Sequence, residues 1–159
     1  MALHKLLVDD FNDDTYSLLA IHCTLEDYRV AYLLNRYLQI NLKRNPQDLD
    51  FEYVAASYSI YEWEDKGQQT TWSLVSNVCK KEEDSIISTG SLFNTQTKIM
   101  THNLVPEYKK VNYLLKIDNG GNFINERAIV QKIQDIPQIV AVFSIDVSQL
   151  KSKDNLIFN

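Results

Sequence analysis

The chain has 159 residues, 45% of them hydrophobic and 23% charged, with four Gly, three Pro and nine Tyr. That length and balance suit one ordinary domain whose core needs no disulfide or metal to hold it, and they exclude wholesale disorder. A formal net charge of -5 disfavours phosphate backbones as partners unless basic residues gather on one side.

After a polar turn at Asn12, Asp13 and Asp14, residues 16–23 predict a strand buried on both faces, with Leu18 and Ala20 on one and Leu19 and Ile21 on the other. Thr24 is placed to cap a helix, and Asp27 stands at the capping-box position. Val30, Leu33, Leu34, Tyr37 and Leu38 then follow i, i+3, i+4, i+7, i+8 spacing, which makes one apolar stripe and leaves Arg29, Asn35, Arg36 and Gln39 in water. Residues 40–44 alternate apolar with polar and predict a short strand before Pro46. Residues 51–63 and 70–79 are rich in aromatic and β-branched side chains, and the turn chemistry of residues 64–68 joins them as a β-hairpin. Residues 80–96 lose periodicity and collect charge, Ser, Thr and Gly90, so a mobile loop is expected inside a single domain over residues 1–159.

Residues 97–104 and 110–117 predict two strands joined across Pro106, which cannot donate to a ladder. A strand ending near Asp118 leads through Gly120 and Gly121 into a helical stripe of Ile129, Val130, Ile133 and Ile136, which Pro137 stops. Residues 139–146 return as a strand apolar on both faces, so residues 113–145 predict a right-handed βαβ crossover. Two βαβ-like units with hairpins between them give an α+β fold, an antiparallel or mixed sheet with two helices on one face. The Ile136-Pro137-Gln138-Ile139 passage is similar to half of a split-βαβ, ligand-sensing ACT domain, with Gln138 where that pattern has Gly.

Residues that carry chemistry are scattered. His22 and Cys23 are neighbours, but adjacent strand residues point to opposite faces, so the imidazole cannot reach the thiol. Cys23 and Cys79 lack paired spacing and read as reduced thiols. The opening apolar run is too short for a signal peptide and no stretch approaches the ~20 residues of a bilayer span, so a cytoplasmic protein without a membrane partner is expected. The three histidines lack zinc spacing. Asp9, Asp10, Asp13 and Asp14 form the densest acidic cluster, yet an EF-hand reading of Asp10, Asn12 and Asp14 fails at Thr15 and Ile21, where the turn Gly and bidentate Glu should stand. No metal and no cofactor is expected. Glu62, Trp63, Glu64 and Asp65 with Trp72 set carboxylates beside an aromatic platform, although pairing across the hairpin accounts for the tryptophans. Lys109, Lys110, Lys116, Lys132, Lys151 and Lys153 are candidates for a basic patch, with a solvated charged face as the plainer reading. No phosphate loop, nucleophile elbow or His-Glu-x-x-His motif occurs, so no catalytic residue is assigned and the balance leans away from an enzyme.

Val105-Pro106-Glu107-Tyr108-Lys109-Lys110-Val111-Asn112-Tyr113 resembles the signature I-P-E-x-x-x-V-D-Y of the IPExxxVDY family, with Val105 at the Ile position and Asn112 at the Asp position. Thr24-Leu25-Glu26-Asp27-Tyr28-Arg29 and Leu150-Lys151-Ser152-Lys153-Asp154-Asn155-Leu156-Ile157-Phe158 resemble the same family, so the resemblance runs nearly end to end. It implies a bacterial protein of the Bacteroidota and supplies no reaction. Candidate binding residues are Arg29, Pro106, Glu107, Asn112, Tyr113, Lys151, Lys153 and Phe158. Leu156, Ile157 and Phe158 predict a tail that docks at a sheet edge beside residues 105–113 to form one composite surface. The leading expectation is a binding or accessory protein acting through protein–protein interaction. Behind it stand an ACT-like small-ligand sensor, an RNA-associated accessory protein and a small enzyme of unknown reaction.

Overall fold

The structure is a computed structural model that describes residues 16–51, 56–86 and 95–158. In chain order the elements are β1 (Tyr16–His22), α1 (Asp27–Leu38), β2 (Lys43–Arg44), β3 (Leu49–Phe51), β4 (Ala56–Tyr58), β5 (Ile60–Asp65), β6 (Thr70–Ser76), β7 (Val78–Ile86), β8 (Thr95–Asn103), β9 (Tyr113–Asp118), α2 (Glu126–Gln134) and β10 (Ala141–Ile145). Short 3-10 turns lie at Pro106–Tyr108, Val147–Gln149 and Lys153–Leu156. The main sheet has the order β10-β1-β9-β6-β5-β2 with every ladder antiparallel, and β3-β4 and β7-β8 form two further two-stranded sheets. This is an α+β fold. The expected crossover is a split unit: β9 and β10 run parallel, but β1 lies between them and pairs with both. β1 and β2 are also parallel, separated by β9, β6 and β5.

Why β1 sits between the last two strands follows from its composition. Leu18, Leu19, Ala20 and Ile21 are each at most 1% exposed, so neither face of this strand tolerates water. Leu19 and Ile21 join Leu74, Leu115 and Ile117 against Val30 and Leu34 of α1, Ile133 of α2 and Ile136 just beyond it. Leu18 and Ala20 join Val75, Leu114 and Ile145 against a second layer that contains Ala56, Tyr58, Leu104, Val105 and Leu156. Both helices therefore cover one face, while the small sheets, the residue 105–111 turn and the C-terminal tail cover the other. At the β10 edge, the Val142 N–H donates to Gln134 Oε1 at 3.3 Å, and Glu126 accepts from Ser17 Oγ at 2.6 Å and Ser144 Oγ at 2.9 Å. Gln134 of α2 thus takes one N–H of the edge strand, while Glu126 bridges β1 and β10 across the helix-side face.

Four expectations need correction. Helix α1 begins at Asp27 after Glu26, with no side-chain cap, and Thr24 lies in the bend before it. The bend is fixed from outside, because Cys23 N–H donates to Asn112 Oδ1 at 3.0 Å and Tyr113 Oη donates to the Leu25 carbonyl at 2.6 Å. Asn35 is not a solvated side chain but clasps Leu42, accepting from its N–H at 2.8 Å and donating to its carbonyl at 3.1 Å. The run over residues 51–63 is divided among β3, β4 and β5, with residues 52–55 outside the described set. Residues 80–86 and 95–96, expected in a loop, are laddered in β7 and β8, while residues 87–94 lie outside the described set. A two-stranded ribbon apart from the main sheet has no need of an apolar face along its whole length, so periodicity gives no signal there. The hairpin expectation stands: β5 and β6 pair with Trp63 opposite Trp72, and both rings pack against the helix-side core. Among the described residues no helix is long and apolar enough to cross a membrane.

Candidate functional site

The turn that carries the V-P-E-Y-K-K-V-N-Y segment is organised by Asn77, which is 0% exposed between β6 and β7. Its Nδ2 donates to the carbonyls of Tyr108 and Val111, both at 2.9 Å, and its Oδ1 accepts from Val105 N–H at 2.7 Å. The backbone adds Asn77 N–H to the Asn112 carbonyl and Leu104 N–H to the Asn77 carbonyl, each at 2.9 Å. A primary amide has two donors and an acceptor, and here all are used on one turn. Nothing in the sequence singles out Asn77, because its partners lie about thirty residues away.

The candidate residues of the turn brace the fold. Glu107 accepts from Lys151 N–H at 2.8 Å, Ser152 N–H at 3.2 Å and Ser152 Oγ at 2.9 Å, so its carboxylate pins the tail. Burial works against its charge, but the bonds from the Ser152 hydroxyl and the tail N–H groups prevail and hold the carboxyl below its ordinary range. Asn112 joins the end of β1 through its Oδ1 and through its N–H to the Ile21 carbonyl at 3.1 Å. Tyr113 is largely buried and its hydroxyl is pushed upward by that burial, so it stays protonated and donates to Leu25. Pro106 opens the 3-10 turn.

The tail docks. Leu156 is 0% exposed, and its carbonyl accepts from Lys116 Nζ at 2.7 Å. The same ammonium lies 4.5 Å from the Tyr16 ring centroid and 5.0 Å from that of Phe158, and burial lowers its pKa. Asn155 Nδ2 donates to the Leu104 carbonyl at 2.9 Å. Ile157 stays 60% exposed, Lys151 is exposed, and Lys153 sits half-buried in the last 3-10 turn. The six lysines do not converge: Lys116 is engaged with the tail, and Lys132 belongs to α2 on the opposite face. Arg29 is exposed on α1, also on the helix side, and is not brought to the turn.

Two concavities flank the turn. The first is an open groove of about 590 Å³ whose bed is Tyr108, Val111, Ala141 and Phe143, with Lys109 and Lys110 at the rim. The Tyr108 and Phe143 rings meet at 5.9 Å, and Phe143 remains 39% exposed. Among the described residues neither lysine has a carboxylate within ion-pair distance. The second is a more enclosed cavity of about 360 Å³ between β3-β4, the end of β8 and the tail. Pro106 and Lys109 line both. Each is also lined by a histidine that has one buried nitrogen without a hydrogen-bond partner among the described residues, Nδ1 for His22 of the groove and Nε2 for His102 of the cavity. Tyr108, Phe143 and His102 carry no local sequence signal that groups them, because they come from three separate elements.

The thiols do not build a nucleophilic site. Cys23 is buried and burial raises its pKa, while Cys79 faces His102 across the β7-β8 ladder but is buried in the second core and does not line the cavity. Asp9, Asp10, Asp13 and Asp14 lie outside the described residues, and among those described no cluster of three His, Cys, Asp or Glu could hold a metal. Comparison with protein-family models, with curated proteins and with solved structures gave no match.

Proposed function

We propose that the chain is a cytoplasmic member of the IPExxxVDY family that acts by binding, with a protein partner seated in the groove between the residue 106–111 turn and β10. The observation that carries this reading is the pair of half-buried Tyr108 and exposed Phe143 on an apolar bed, rimmed by two lysines with no partner carboxylate among the described residues. Aromatic anchors within a polar rim are the usual make-up of a protein-binding patch. The bed is held by Asn77 and by the tail clasp on Glu107, so little order has to be gained on binding. Asn112 works as an acceptor for a backbone N–H, a role an Asp at that motif position would also fill. The second cavity, more enclosed than the groove, favours small-ligand binding as the second reading.

The test uses the purified chain as bait, with Phe143→Asp and Tyr108→Ala as groove variants and Phe123→Ser, on the 90% exposed side chain before α2, as control. Unchanged melting temperatures establish that the variants fold. The expected result is a stoichiometric partner retained by wild type and control and lost by both groove variants. A partner retained by both groove variants overturns the reading.

A further inference from the structure

We propose that the second cavity, between β3-β4 and the residue 106–109 turn, binds a small monocarboxylate with an aromatic or branched apolar body. The two walls differ in character. Phe51 and Tyr58, brought together by the β3-β4 ladder, place their rings 5.9 Å apart at 74°, and with Leu104 and Pro106 they make an apolar slot. The remaining wall is polar, with Thr101, His102 and Asn103 from the end of β8 and Asn155 from the tail. A volume of about 360 Å³ stands at the small end of known ligand sites, which span roughly 300–1,000 Å³.

The polar groups specify the charge of the occupant. His102 lines this polar wall, and its Nε2 is buried with no hydrogen-bond partner among the described residues. Lys109, exposed and lining the cavity, answers a negative charge, and one lysine in a chain of net charge -5 matches a monoanion better than a phosphate dianion. Asn155 is fixed by its bond to the Leu104 carbonyl, so the docked tail is a structural part of this wall. The site is separate from the groove: Lys110 and Phe143 line only the groove, whereas His102 and Tyr58 line only the cavity.

Amide and imidazole NMR titrations of the full chain test this, with benzoate, phenylacetate, 3-phenylpropionate and isovalerate as probes, benzyl alcohol and benzamide as neutral counterparts, and inorganic phosphate as the dianion. The expected result is saturable shifts centred on His102 and Lys109 for at least one carboxylate, with Kd below about 1 mM. Lys109→Met, on an exposed side chain, is expected to weaken that carboxylate by about tenfold, whereas Lys110→Met leaves it unchanged. Neutral probes binding as tightly as the carboxylates, phosphate binding more tightly than any of them, or no saturable shift at His102 with any carboxylate up to about 10 mM would each overturn the proposal. Phe143→Asp should leave the titration intact, so loss of the partner and loss of the ligand are separate outcomes.

Discussion

Replacing Asn77 with Ala tests the claim that one buried amide sets the geometry of the whole turn. The substitution removes three side-chain hydrogen bonds at once. The Tyr108 carbonyl keeps the N–H of Val111 at 3.1 Å, so the groups left without a partner are the Val105 N–H and the Val111 carbonyl. Both belong to buried residues, Val105 at 0% and Val111 at 4% exposure. A buried backbone group left unsatisfied costs about 1–3 kcal/mol, which puts the loss at about 2–6 kcal/mol. That is a large share of the roughly 5–15 kcal/mol that holds an ordinary domain. Urea unfolding followed by fluorescence measures it, and native-state hydrogen exchange at the Val105 amide should lose protection in step. Asn77→Asp keeps the acceptor for Val105 but sets a carboxylate oxygen against two carbonyls, so at neutral pH it should lose at least as much. A loss under about 1 kcal/mol for Asn77→Ala, with the Val105 amide still protected, would refute the reasoning.

Deleting residues 156–159 uncovers the site of the fully buried Leu156 and takes the carbonyl from Lys116. Losing a buried Leu alone costs about 2–5 kcal/mol, a fall of roughly 5–20 °C in melting temperature for a chain of this size. Calorimetry showing no change would remove the case for a docked tail. Glu107 has a depressed carboxyl pKa, so its clasp on the tail contributes above the ordinary value of 4.5 and is lost as pH falls below that through the folded value. Amide shifts of Lys151 and Ser152 should therefore titrate in the acid range in wild type and not in Glu107→Gln; titration persisting in the variant would assign the effect to another group.

How much of this was legible before the structure depends on the range of the forces involved. Stripes in α1 and α2, the doubly apolar β1 and the tryptophan-bearing hairpin are local patterns, and each leads to the observed element. The start of α1 was misplaced because Asn112 and Tyr113, nearly ninety residues away, fix the bend that Thr24 was expected to cap. The β7-β8 ribbon escaped notice because Lys80, Lys81 and Glu82 pair with Thr101, Met100 and Ile99 without a continuous buried face. The segment that resembles a family signature forms the turn between the two concavities. Its named side chains proved to be braces, and the concavities beside it are made from Phe143, His102 and Tyr58, which only the sheet topology unites.

The position of β1 has a consequence for how the chain is made. Its two ladder partners are β9 and β10, far along the sequence, so β1 has no ladder partner until residues up to Asp118 have followed and is not paired on both sides until Ile145 has. Until then a strand apolar on both faces is exposed in the nascent chain, and closing the sheet requires contacts of long sequence separation, which fold slowly and invite aggregation. Closure of the sheet is therefore expected late, with dependence on holding chaperones greatest before β9 emerges.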